Sequence, residues 1–116
     1  MTAPRNRLHA LGAVFLLLLA ACDQATAATY YVDFVGGSDT AAGTSAASAW
    51  KHAPGDREAS GSAGSAQLRA GDTVRFRGGV AYRGTIRMPA DGSTGAPIRY
   101  VGNEWGNAPA ILDGSD

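Results

Sequence analysis

Apolar and polar residues alternate most cleanly over 73–77, where Val74 and Phe76 fall on one side of an extended chain and Thr73, Arg75 and Arg77 on the other. That period of two predicts a half-buried β-strand. Gly71-Asp72 supplies a turn in front of it, and Gly78-Gly79 breaks the run behind it. A second short run, Val80-Ala81-Tyr82, ends at Gly84, and Thr85-Ile86-Arg87-Met88 follows. Beyond the turn-rich loop 89–97, Ile98 and Tyr100 share one face of a further strand, and a loop over 102–109 leads to the short apolar run 110–112. This rhythm of strand and glycine predicts a chain that turns in short flat steps. Val74 and Ile98 are 98 − 74 = 24 positions apart, a spacing in the range of one solenoid repeat.

The segment 29–35 is rich in β-branched and aromatic residues and is a strand by composition. Tyr30, Val32 and Phe34 alternate with Tyr31, Asp33 and Val35, so both faces are partly apolar and the strand is expected to be covered on both sides. Residues 36–45 read as a loop. Trp50 reads as the anchor that packs this loop on the core, because indole buries a large area with one polar handle. His52 has no evident partner and reads as an exposed loop residue. The Ser-, Gly- and Ala-rich stretch 57–67 reads as an exposed excursion, with at most a turn of helix near 66–69.

The N-terminus has a different character. Arg5 and Arg7 precede an uninterrupted apolar run from Leu11 to Ala21, too short to span a bilayer but right for the core of an export signal. Two processing points compete. Leu19-Ala20-Ala21-Cys22 resembles the lipobox of bacterial lipoproteins, with Cys22 as the lipidated first residue; Ala25-Thr26-Ala27 is a small-x-small site for ordinary secretion. The lipobox is the more specific, because the only cysteine stands directly after the apolar run. A signal over 1–21, a tether over 22–28 and a β domain over 29–116 follow, with membrane attachment through a lipid on Cys22. In either case the chain works outside the cytoplasm.

Composition narrows the function. Without Arg5 and Arg7 the chain carries eight basic and ten acidic residues, a charge of −2 with no basic stripe, which excludes a nucleic-acid footprint. One cysteine excludes an internal disulfide and any multi-cysteine metal site. Asp33 and Asp39 are the calcium candidates, since calcium takes clustered oxygen ligands. Without a bidentate third acid, the simpler reading is that Ser38 and Asp39 cap a turn through side-chain hydrogen bonds to backbone. Arg75, Arg77, Arg83, Arg87 and Arg99 alternate with apolar residues and read as the wet side of strands. A glycoside hydrolase needs two facing carboxylates; Asp91, Glu104 and Asp113 lie in or beside turns without evident pairing. No catalytic residue is assigned.

Taken in order, Tyr30-Tyr31-Val32, Gly37-Ser38-Asp39, Gly43-Thr44, Trp50-Lys51, Ala70-Gly71-Asp72-Thr73-Val74, Gly78-Gly79, Tyr82-Arg83-Gly84, Gly95-Ala96-Pro97-Ile98 and Ile111-Leu112-Asp113-Gly114-Ser115 resemble the N-terminal segment of bacterial right-handed parallel β-helix proteins of the pectate-lyase-like superfamily. The family more often has a short capping helix where this chain has its Ser/Gly/Ala-rich stretch. The resemblance implies an all-β solenoid of which this chain is the cap and first one to two coils, within a longer protein. It implies a polysaccharide partner, calcium in the full-length protein, and cleavage of an acidic glycan by β-elimination on later coils. The other reading is a non-catalytic, surface-anchored β-helix that binds glycan or serves a structural role.

Overall fold

The computed structural model describes residues 26–114. Five short strands carry the fold: β1 Thr29–Val32, β2 Thr73–Phe76, β3 Ala81–Arg83, β4 Arg99–Val101 and β5 Ile111–Asp113. Every strand pairing is parallel. β1, β2 and β4 form one sheet in that order, and β3 pairs with β5 in a second. From β2 onward the chain visits the two sheets alternately: β2 and β4 in the first, β3 and β5 in the second. The all-β class with parallel sheets therefore holds.

The register explains the alternation in the sequence. Tyr30, Val74 and Tyr100 lie side by side across the first sheet, as do Val32 and Phe76 one step along. These rows face the core, where Val32, Val74 and Phe76 are fully buried. Tyr31, Arg75 and Val101 form the opposite row, and Thr29, Thr73 and Arg99 the row beside it. Val74 pairs with Tyr100, 100 − 74 = 26 positions on, and not with Ile98 as the sequence spacing implied. The difference is one full pleat, so the inward face is preserved.

Asp72 sets the start of this sheet. Gly71 takes a φ of 88°, a left-handed conformation that glycine adopts without a Cβ penalty. The Asp72 carboxylate accepts the backbone N–H of Ala28 and of Arg69, both at 2.8 Å. Its own carbonyl accepts the N–H of Arg99 at 2.9 Å. One buried residue thus ties the first turn of β2 to the beginnings of β1 and β4.

The corner after β2 is set by close approach. A Cβ on Gly78 would collide with the carbonyl of Ala108. The Gly78 and Gly79 amides donate to the carbonyls of Trp105 (2.7 Å) and Pro109 (3.0 Å), so one corner is hydrogen-bonded to the next. Tyr82 on β3 then closes the interior. Its ring meets Phe76 edge to face with centroids 4.9 Å apart, and its hydroxyl lies 3.1 Å from the Val32 carbonyl and 3.0 Å from that of Arg77.

The far edge of β1 is covered by the Trp50 segment. Val32 and Trp50 form a parallel bridge, and the Trp50 N–H and carbonyl bond to Tyr31 and Asp33. The indole is buried, stacks on Tyr30 at 5.1 Å, and donates its N–H to the Ala41 carbonyl at 2.8 Å. Three sequence expectations need correction. The strand expected over 29–35 stops at Val32, because a turn closed by the Gly37 N–H on the Asp33 carbonyl follows, leaving Val35 74% exposed. The stretch 57–67 is not merely an exposed excursion: α1, Gly61–Ser65, buries Ala63 completely. Thr85–Met88 does not pair as a strand and keeps a single antiparallel bridge between Asp56 and Ile86.

Phe76→Ala is expected to cost about 3–5 kcal/mol, the usual range for deleting a buried aromatic ring, whereas Val35→Ala should change stability by less than about 0.5 kcal/mol. Urea unfolding of the two variants measures both; equal losses would contradict this core.

Candidate functional site

Three clusters of charged and aromatic side chains stand out on this frame. The first is built on Asp39, which is buried in the loop after β1. Its Oδ1 accepts the His52 backbone N–H at 2.8 Å, and its Oδ2 lies 2.8 Å from His52 Nδ1. The Ser60 N–H (3.1 Å) and hydroxyl (3.4 Å) also reach Oδ2. His52 therefore has a partner that the sequence did not reveal, 13 positions away. With Nδ1–H donated to the carboxylate, Nε2 is the basic nitrogen of the ring. Carboxylate and imidazole stand as an oriented pair, but Ser60 is bonded to the carboxylate and not to the imidazole. The arrangement therefore lacks the order of a nucleophilic triad.

The second cluster centres on Asp33. The Val35 N–H donates to Oδ1 and Arg77 Nη1 donates to Oδ2, both at 3.0 Å. Asp33 and Asp39, the calcium candidates, thus sit in separate networks, and each carboxylate oxygen already accepts a protein hydrogen bond. Among the described residues no three His, Cys, Asp or Glu side chains converge as a metal group. Asp33 accepts the nearby Val35 N–H, whereas Asp39 ties the loop after β1 to His52 and Ser60.

Their ionisation follows from these contacts. Burial disfavours the charge of Asp33, but hydrogen bonds from Gly36, Arg77 and Val35 outweigh it and hold the carboxyl below its ordinary value. Burial likewise opposes the charge on Asp39, and the His52 and Ser60 hydrogen bonds again win. Tyr82 moves the other way. Burial first, then the nearby Asp33 carboxylate, push its phenol up to about 12, so it remains a donor.

The third cluster lies on the outer face of the first sheet. Arg99 Nη2 donates to Glu104 Oε2 at 3.0 Å, and Arg75 Nε stands 3.3 Å from Glu104 Oε1. That second approach is an ion pair without hydrogen-bond geometry, so the buried Arg75 Nε has no hydrogen-bond acceptor. Tyr31 meets the edge of Trp105 with centroids 5.5 Å apart, and the Arg75 guanidinium lies 6.0 Å from the Tyr31 ring. Two aromatic rings, two guanidiniums and a carboxylate share one half-exposed surface. The sequence showed these arginines as the wet side of strands, which they are; their convergence on Glu104 depends on the register of β2 against β4.

The remaining sequence candidates are dispersed. Arg83 approaches Asp113 at 3.9 Å on an exposed surface, where an ion pair contributes little. Asp91 lines an open cavity of about 580 Å³ with Met88, Ser93 and Ile98, which neither Glu104 nor Asp113 lines. Cys22 lies outside the described residues. Compared with known proteins, the chain matches no family model and no curated protein, so function has to be read from the residues.

The depressed acids make stability depend on pH. Their folded values lie below the unfolded value of about 3.9, so the stabilisation is complete above that pH and is lost as pH falls through the folded values. Urea midpoints measured at pH 6 and pH 3 should fall with acid, and Asp39→Asn should lower the pH 6 midpoint while making the drop smaller. An unchanged acid dependence in Asp39→Asn would contradict the role of this carboxylate.

Proposed function

We propose that this chain is the capped N-terminal part of an exported right-handed parallel β-helix protein that acts on an acidic polysaccharide. The observation that carries the reading is the alternation of successive strands between two parallel sheets, with corner bonded to corner. That is the geometry a flat-stepped solenoid requires. The Trp50 segment and α1 support a cap at the β1 side. On the other side Ile111 and Leu112 are 57% and 60% exposed, apolar surface of the kind that further coils would cover. On this reading the chemistry belongs to those coils. A base there would take the proton beside a uronate carboxylate, and the β-glycosidic oxygen would depart with its electron pair to leave a carbon–carbon double bond. Residues holding a cation would bring positive charge to the carboxylate. Calcium is the candidate cation by resemblance to the pectate-lyase-like superfamily. Cys22, lipidated after signal removal, would hold the protein at a membrane of the cell envelope.

The gene's complete product, incubated with pectate and with alginate, is expected to generate the ultraviolet absorbance of unsaturated uronates. Silence on every uronate polymer would remove the lyase reading. Incorporation of a radioactive fatty acid, abolished by Cys22→Ala, is expected from the lipobox; labelling that survives the substitution contradicts it.

A second reading has its own observation. The outer face bearing Tyr31, Trp105, Arg75, Arg99 and Glu104 offers rings for sugar faces and charged groups for hydroxyls, which suits a glycan-binding module without catalysis. Retention of the chain on immobilised pectate should then fall at least about fivefold in Trp105→Ala, an anchor-type loss, with no product formed by the complete protein.

A further inference from the structure

The arginines divide into two groups. Among the described residues Arg75, Arg77, Arg83 and Arg99 each have a carboxylate partner, whereas Arg57, Arg69 and Arg87 have none. Two of the unpaired ones, Arg57 and Arg87, line the same open cavity of about 360 Å³, together with Thr85 and Gly55.

The backbone explains why they meet. Asp56 and Ile86 form an isolated antiparallel bridge, and the Arg87 N–H donates to the Gly55 carbonyl at 2.9 Å. In extended chain, neighbouring side chains point to opposite sides. Ile86 packs against the core, so Thr85 and Arg87 turn outward beside Arg57. Gly55, opposite Arg87, has no side chain to fill the gap. Its φ of 94° and the contact a Cβ would make with the Arg87 carbonyl both favour glycine there. The result is a hollow lined by an arginine from each segment and by Thr85, with no carboxylate in its lining. Asp56, whose Oδ1 accepts the Glu58 N–H at 2.9 Å, is not among the residues that line the hollow.

We propose that this hollow is a binding site for an oxyanion group, a carboxylate or sulfate on a body no larger than a monosaccharide. Guanidinium forks match the paired oxygens of such groups. The volume lies at the small end of the range for small-molecule sites. Neither arginine has an ion-pair partner among the described residues, so an anion in the hollow would meet two available cations. The site lies apart from the outer-face cluster and does not depend on a catalytic role for the protein.

Amide chemical shifts of the purified full chain, titrated with sodium sulfate and separately with galacturonate at constant ionic strength, test the proposal. Saturable shifts confined to 55–57 and 85–87 are expected, with a dissociation constant of about 1 mM. Saturation by either anion sustains the site, and the tighter one shows whether a tetrahedral or a planar group fits it. Arg57→Gln and Arg87→Gln should each weaken binding about tenfold, the loss of one charge-assisted contact, while Arg83→Gln should leave it unchanged. Where Arg87→Gln disturbs the spectrum as a whole, Arg57→Gln decides, because Arg57 stands outside the Gly55–Arg87 hydrogen bond. Shifts that rise without saturating, or that persist undiminished in Arg57→Gln, would overturn it.

Discussion

The two sheets of this protein are joined at Tyr82. Its ring fills the space beside Phe76, and its one hydroxyl proton is shared between carbonyls at the ends of β1 and β2. A phenol in that position must stay protonated, and burial together with the Asp33 carboxylate ensures it. Asp33 is itself held by Arg77, whose carbonyl is one of the two that Tyr82 reaches. The joint is therefore a closed circuit of phenol, carbonyl, guanidinium and carboxylate around a small apolar core. Strands of three or four residues cannot hold a sheet by their own ladder bonds; side chains that bridge between ladders must do it.

Parallel pairing has a second consequence. Each step from β2 to β4 or from β3 to β5 requires the chain to leave one sheet, turn, and return. The glycines at 78, 79 and 84 stand at those turns, and the Gly78 and Gly79 amides bond to the backbone of the following corner. The loops between strands are thus part of the hydrogen-bond framework. The arginines of the outer face complete it from the wet side, where Glu104 in a loop after β4 gathers Arg75 and Arg99 from two strands.

Much of this was legible in the sequence where the signal is local. The alternation of Thr73 to Arg77, the Gly71-Asp72 turn and the glycine corners all act within a few residues, so periodicity and turn chemistry expose them. What was not legible depends on separation along the chain. Asp39 and His52, Asp33 and Arg77, and Arg57 and Arg87 meet only after the strands find their register, and no spacing rule links them beforehand. The stretch 57–67 was misread for a different reason. Its composition lacks large apolar residues, yet Ala63 is fully buried and belongs to the core.

The central claim is that successive strands enter two separate parallel sheets. The rival is a local hairpin, in which the runs on either side of Gly78-Gly79 pair antiparallel. Backbone proton–proton Overhauser contacts separate them directly. The parallel account predicts cross-strand contacts aligning Tyr30 with Val74, Val74 with Tyr100, and Tyr82 with Leu112. An antiparallel ladder joining residues 73–77 to 80–84 would contradict it.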